Sequence, residues 1–188
     1  MEALLISLTT VALAEMGDRT QLLVLLLATR FRRPWPIVAG VTCASLLSHA
    51  VAAAIGAWIG TRLRTDILDG AVGVSMIVMG LWMLKPDKLD GEAQISDQRS
   101  IFLTTLGTFL LAELGDKTQI ATLALAAGYH NLLAVIAGST LAMLVCTIPV
   151  VFVGKLFADR LPMRAIRYAS SALMIVIGGI FMVRALHR

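Results

Sequence analysis

The sequence predicts an all-α polytopic membrane protein, with six transmembrane helices arranged as two inverted three-helix repeats. Three observations predict it. Hydrophobic residues make up 58% of the 188-residue chain and charged residues only 15%, against about 45–50% and about 25% in soluble domains. A chain this short has too small an interior to hide that excess, whereas lipid accepts it. The apolar residues fall into runs of roughly the 20 residues that cross a bilayer. The chain also repeats itself, without a gap, at an offset of 98 residues.

The runs cover 3–28, 35–60, 66–85, 101–127, 132–156 and 164–184. Arg30-Phe31-Arg32-Arg33-Pro34-Trp35-Pro36 ends the first, because proline starts helices and does not continue them. Thr61-Arg62-Leu63-Arg64-Thr65-Asp66 ends the second, and Lys85-Pro86-Asp87 the third. Residues 86–100 are the one sustained polar stretch and read as a linker between repeat one (1–85) and repeat two (101–188). Tyr129-His130-Asn131 turns the chain between spans four and five, and Arg160-Leu161-Pro162 separates five from six. Ala12-Leu13-Ala14 resembles a signal-peptidase site, but no basic segment precedes it, so the first span is expected to be retained. Cys43 and Cys146 lie inside apolar runs and read as small buried hydrophobes.

At the 98-residue offset Glu15 maps to Glu113, Gly17 to Gly115, Asp18 to Asp116, Thr20 to Thr118 and Gln21 to Gln119. The register holds outside this motif: Gly40 maps to Gly138, Ala44 to Ala142, Gly56 to Gly154, Leu63 to Leu161 and Gly80 to Gly178. Each half is therefore one three-helix unit. Three is odd, so the second unit enters the membrane from the opposite side. Inverted repeats of this kind are common in secondary transporters, whose sites lie near the midplane between the repeats. Lys and Arg counts set the orientation. The loops after spans one, three and five carry ten: Arg30, Arg32, Arg33, Lys85, Lys88, Arg99, Lys155, Arg160, Arg164 and Arg167. The other side carries four: Arg62, Arg64, Arg184 and Arg188. That bias puts the central loop in the cytoplasm and both termini outside, in a multi-pass protein of the cell inner (plasma) membrane.

The chemistry concentrates in the two motif copies, Glu15-Met16-Gly17-Asp18-Arg19-Thr20-Gln21 and Glu113-Leu114-Gly115-Asp116-Lys117-Thr118-Gln119. On a helix, Glu and Asp three residues apart share a face, and the Gln three further on continues it with an amide oxygen. The glycine between the acids either permits a helix break that exposes carbonyls or lets helices pack closely. A carboxylate within a span costs about 2.5–3.5 kcal/mol on insertion scales and marks an ion path. If the repeats face each other, Glu15, Asp18, Glu113 and Asp116 converge, with Gln21 and Gln119 as further oxygen donors. Oxygen ligands select hard divalent cations. Arg19 and Lys117 bring the total to −2, which one divalent ion or two protons neutralise; alternatively they snorkel toward the headgroups. Thr20, Thr118 and Ser48 are candidate pathway groups. Ser45, His49, Thr140 and Thr147 are weaker ones, with interhelical hydrogen bonding as the plainer role. Met16 is a thioether at the motif whose mate is Leu114. Gly56-x-x-x-Gly60 reads as helix packing, and Pro149 as a bend in span five. The bland alternative is that the acids only form ion pairs pinning helices; duplication of the whole motif argues against it.

Two copies of Glu-x-Gly-Asp-(Lys/Arg)-Thr, each opening a three-helix unit, resemble the UPF0016 family of Golgi, chloroplast and bacterial cation transporters. The resemblance covers the whole chain. It implies Mn²⁺ or Ca²⁺ transport in exchange for protons, with Glu15, Asp18, Glu113 and Asp116 essential for binding, and a cytoplasmic central loop. For a short bacterial member it implies Mn²⁺ export. Expected partners are thus divalent ions, protons and the bilayer, with no nucleic acid and no cofactor beyond Mn²⁺ (or Ca²⁺) as substrate. A Ca²⁺/H⁺ exchanger, a passive cation channel, an ion-paired scaffold and an exporter of lysine are the competing readings. No nucleophile–base pair, P-loop or zinc spacing stands out, so enzyme chemistry is not expected.

Overall fold

The first and fourth apolar runs do not form single helices. In the computed structural model, α1 (Glu2–Glu15) ends at the first motif glutamate and α2 (Arg19–Phe31) begins after the aspartate. The second copy repeats this with α5 (Ile101–Glu113) and α6 (Lys117–Gly128). The intervening elements are α3 (Pro34–Gly60), α4 (Thr65–Met83), α7 (Leu132–Val153) and α8 (Met163–Leu186). The structure describes residues 1–16, 18–62, 64–84, 100–129, 131–153 and 163–187, and all regular structure among them is helical. The linker as far as residue 99, Gly17, Leu63, His130, Gly154, Lys155, Arg160, Leu161 and the side chain of Arg19 lie outside the described residues.

The breaks have a local cause. Gly115 has φ +74°, a left-handed conformation that an L side chain resists. The turn closes with the Asp116 N–H donating to Glu113 O at 3.0 Å, matched in the first copy by Asp18 N–H to Glu15 O at 3.1 Å. At 1.5 Å per residue, α1 and α2 are each about 20 Å long, short of the ~30 Å hydrocarbon core. By contrast, Pro34–Gly60 and Leu132–Phe152 are each long and apolar enough to cross a membrane.

The packing is apolar outside and polar inside. Leu46, Leu47, Val51, Ile55 and Trp58 of α3 are exposed, as are Val74, Val78 and Trp82 of α4 and Leu141, Val145 and Phe152 of α7. Ser45, Ser48, His49, Thr118, Thr122, Ser139 and Thr147 are buried. Water would favour the reverse, whereas lipid allows side-chain polarity only in the bundle interior. Two apolar clusters flank this polar middle. One joins α1, α3, α4, α6, α7 and α8 around Val11, Met76, Leu125 and Met174; the other joins α2, α3, α5 and α7 around Leu27, Ile37, Phe109 and Met143.

Close contacts come in reciprocal sets. A β-carbon built on Gly40 would meet Thr105 Cβ at 2.8 Å, and one on Gly138 would meet Ser7 Cβ at 2.9 Å. Gly40 and Gly138 are mates in the repeat, as are Ser7 and Thr105. Likewise Gly73 faces Gly178 O, while Gly80 faces Ser171 O; exchanging each residue for its mate converts one contact into the other. The first half-helix of each copy thus lies against the long helix of the other, α1 on α7 and α5 on α3. Gly56 and Gly60 do pack a helix: a β-carbon on Gly56 would run into Leu123 O, and one on Gly60 would lie 2.6 Å from Ala127 O, both of α6. Pro149 lies within α7.

Candidate cation site

The helix breaks bring the motif acids to the ends of half-helices. Glu15 and Glu113 are the last residues of α1 and α5; Asp18 and Asp116 are the N-caps of α2 and α6. All four are buried, Glu15 and Glu113 fully. Ligand oxygens of Glu15, Asp18 and Asp116 all lie within 4.8 Å of one another. The two copies therefore contribute to one cluster. Oxygens bound at about 2.3–2.6 Å to a divalent ion stand at most about twice that apart, so the spacing suits a shared cation.

Glu113 is outside that trio. Its Oε1 accepts from Ser45 Oγ at 3.3 Å, while Oε2 is buried with no hydrogen bond. Glu15 is held differently: Thr20 Oγ1 donates to Oε1, and Oε2 likewise has no hydrogen bond. Asp116 caps its own helix, with Oδ2 accepting from Thr118 N at 3.3 Å and Thr118 Oγ1 at 3.1 Å. Lys117 is buried, and its Nζ lies 2.7 Å from Asp18 Oδ1 of the other copy. Of the two lysine dispositions the sequence allows, the structure shows the inward one.

The glutamines occupy matched positions beside the cluster. Gln21 Nε2 donates to Cys146 O at 3.4 Å. Gln119 Nε2 donates to the hydroxyl of Ser48, which is the mate of Cys146, and its Oε1 accepts from Gly115 N at 3.1 Å. Both amides thus brace the broken helices against α7 and α3. Met16 is exposed. Sequence reasoning missed three things here. It did not foresee the Lys117–Asp18 bond between copies, the buried Thr122–Ser139 pair (3.0 Å), or the buried Ser7 and Thr10 of α1. Ser7 and Thr10 carried a weak signal, as polar residues spaced by three on a largely apolar helix.

An all-helical protein with a lipid-compatible exterior and a carboxylate cluster built from two broken helices belongs to the class of membrane cation transporters. Comparison with known proteins defines the family. The profile described as "Divalent cation/proton antiporter GDT1" matches residues 3–91 and 101–188, and the chain belongs to that family. A Vibrio cholerae protein named "Putative manganese exporter" is 50% identical over 177 residues, covering 94% of this chain and 88% of that protein. A GDT1-like protein of Synechocystis is 29% identical over 175 residues, covering 82% and 84%. GDT1-like protein 3 of Oryza sativa is 28% identical over 192 residues, covering 88% and 68%. No solved structure matches significantly. The chain is a secondary-active transporter that exchanges a divalent cation for protons, as its family does.

Proposed function

We propose that the chain exports Mn²⁺ from the cytoplasm in exchange for protons, at a site formed by Glu15, Asp18, Glu113 and Asp116 between two inverted repeats of three spans each. The observation that carries this reading is the Glu15–Asp18–Asp116 cluster, which draws ligands from both copies. Reciprocal contacts between mates support the two-fold relation of the repeats. The half-helix N-termini of α2 and α6 point their partial positive ends at the two aspartates. The name of the Vibrio relative supports Mn²⁺ as the cargo. In this arrangement α1 and α6 occupy the outer half of the membrane, α2 and α5 the cytoplasmic half, and both termini are outside. Gln21, Gln119, Thr20, Thr118 and Ser48 hold the ligand-bearing turns, and Arg19 and Lys117 balance charge.

The exchange follows from electrostatics. Four carboxylates and two cations sum to −2, and either one Mn²⁺ or two protons bring the site to neutrality. Each form can then cross a low-dielectric barrier that the bare charged site could not.

The test is flux in proteoliposomes. An imposed pH gradient should drive Mn²⁺ against its concentration, with Ca²⁺ and Mg²⁺ run alongside. Glu15→Gln and Asp116→Asn should lower Mn²⁺ affinity by more than the ~10–100-fold typical of losing an outer-shell partner. Flux that ignores the pH gradient, or variants that bind Mn²⁺ like wild type, would overturn the proposal.

A further inference from the structure

The α4–α8 pair breaks the balance between the two halves. Its helices meet backbone to backbone: a β-carbon on Gly73 would lie 2.8 Å from Gly178 O, and one on Gly178 would lie 2.7 Å from Gly73 O. A seam this close, made in both directions, holds the two helices as one body. That body packs on one half of the bundle. α4 lies on α6 and α8 on α1, and Val72, Met76 and Phe181 share an apolar cluster with Ala14, Ala121 and Leu125. The equivalent half-helices of the other copy, α5 and α2, cluster with α3 and α7. Among the described residues that second cluster holds nothing from α4 or α8.

The burial of mates records the same difference. A β-carbon on Gly128 of α6 would lie 3.8 Å from Val72 Cγ2 of α4. Ala124, one turn earlier on that face, is 6% exposed. Their mates on α2 are Arg30 and Leu26. Arg30 is exposed, and Leu26 is 39% exposed. The face left open on α2 is therefore the mate of the face that α4 covers on α6. α5 follows α2: Leu111 is 72% exposed, whereas its mate Leu13 of α1 is half-buried.

The residues on these faces explain the preference. Hydrocarbon gives helices no hydrophobic drive to associate, so closeness of approach decides which surfaces meet. Ala124-x-x-x-Gly128 is a pair of small residues one turn apart, the pattern that lets two helix backbones come together. At the same positions α2 carries Leu26-x-x-x-Arg30. A leucine and an arginine hold an incoming helix away, and the arginine resists cover by apolar neighbours. The two-fold relation offers the α4–α8 pair two docking places, α6 with α1 or α2 with α5. The side chains make the two unequal.

We propose that this conformation is the resting state, closed toward the outside, and that Ala124 and Gly128 set that preference. The α4–α8 pair then swings as one body onto α2 and α5 to open the site outward. The assignment rests on the inverted-repeat topology proposed above. In the swung state each contact is replaced by its mate, so Val72 on Gly128 gives way to Ser170 on Arg30. For an exporter the bias has a use: the empty carrier waits shut to the outside until an ion arrives from the cytoplasm.

Disulfide trapping in proteoliposomes tests this, in a Cys43→Ser/Cys146→Ser background. Without Mn²⁺, Val72→Cys/Gly128→Cys should cross-link at least tenfold faster than Arg30→Cys/Ser170→Cys. Closing the first pair should stop Mn²⁺ flux, and reducing it should restore flux. Exchanging mates should shift the balance: Ala124→Leu and Leu26→Ala should each speed the Arg30/Ser170 cross-link at least fivefold. Leu26 is partly exposed, so Leu26→Ala tests the preference even where Ala124→Leu does not fold. Equal rates for the two pairs, full flux through the trapped protein, or an Arg30/Ser170 rate unmoved by Leu26→Ala would each overturn the proposal. An impermeant maleimide that reaches Gly128→Cys only from the cytoplasmic side would instead overturn the topology, and a wild type that carries no Mn²⁺ would overturn the export reading.

Discussion

Lys117 and Arg19 are mates, and the Lys117 ammonium reaches across to Asp18 at 2.7 Å. Both partners are buried, so the bond is not screened as a surface pair would be. Removing one partner of such a pair leaves an uncompensated charge and costs about 3–5 kcal/mol. Lys117→Met is therefore expected to lower the melting temperature in detergent. It should also enlarge the upward shift on adding Mn²⁺, because the metal then supplies the missing positive charge; Tm with and without Mn²⁺ checks this. Gly115 is constrained by backbone rather than by space, since a β-carbon there would meet nothing within 4 Å. Its φ of +74° makes Gly115→Ala cost about 1–2 kcal/mol. Gly115→Asn should cost less, because Asn tolerates that region. Chemical denaturation of the two variants in detergent ranks them.

At the scale of elements, the seam between α3 and α6 carries the tightest backbone approach. Gly56 has Leu123 O where its β-carbon would be, and carbonyl backbone cannot yield as a flexible side chain does. Gly56→Ala should cost at least the ~1–3 kcal/mol of overpacking and displace α6, which carries Thr118 and Gln119. Gly107 of α5 has nothing within 4 Å of a built β-carbon. Gly107→Ala should be neutral, or stabilising by about 0.5–1 kcal/mol through helix propensity. Thermal unfolding of this pair separates close packing from propensity on helices of the same bundle.

At the scale of the molecule, the proposed exchange of one Mn²⁺ for two protons is electrically neutral, since two charges move each way. A cycle that moved one net charge would respond to voltage by about 2.3 kcal/mol per 100 mV. Imposing a potassium diffusion potential of about that size is therefore expected to change pH-driven Mn²⁺ uptake by less than twofold. A larger response would mean that the proton count differs from two. The reciprocal contacts among Gly40, Gly138, Gly73 and Gly80 also matter at this scale. Each half holds the other through the same contacts, which is what the proposed inverted repeat needs if one packing scheme is to serve alternating access.

Much was legible before any coordinates. The composition requires lipid, the 98-residue register pairs each residue with its mate, and the duplicated Glu-x-Gly-Asp places the four acids; all of this follows from residue types and local periodicity. The long helices α3 and α7 fall within a few residues of the apolar runs that predict them. The fate of the motif glycine was left open between a break and close packing, because sequence does not reveal a φ angle. Gly115 is a break, and that break puts Glu and Asp on different half-helices instead of one stripe. Only the tertiary structure decided which oxygens meet: Glu15, Asp18 and Asp116 share a point while Glu113 turns to Ser45. It also decided that Lys117 bonds the opposite copy. Those outcomes depend on how four helices from two halves cross, a long-range property that no local pattern in the chain encodes.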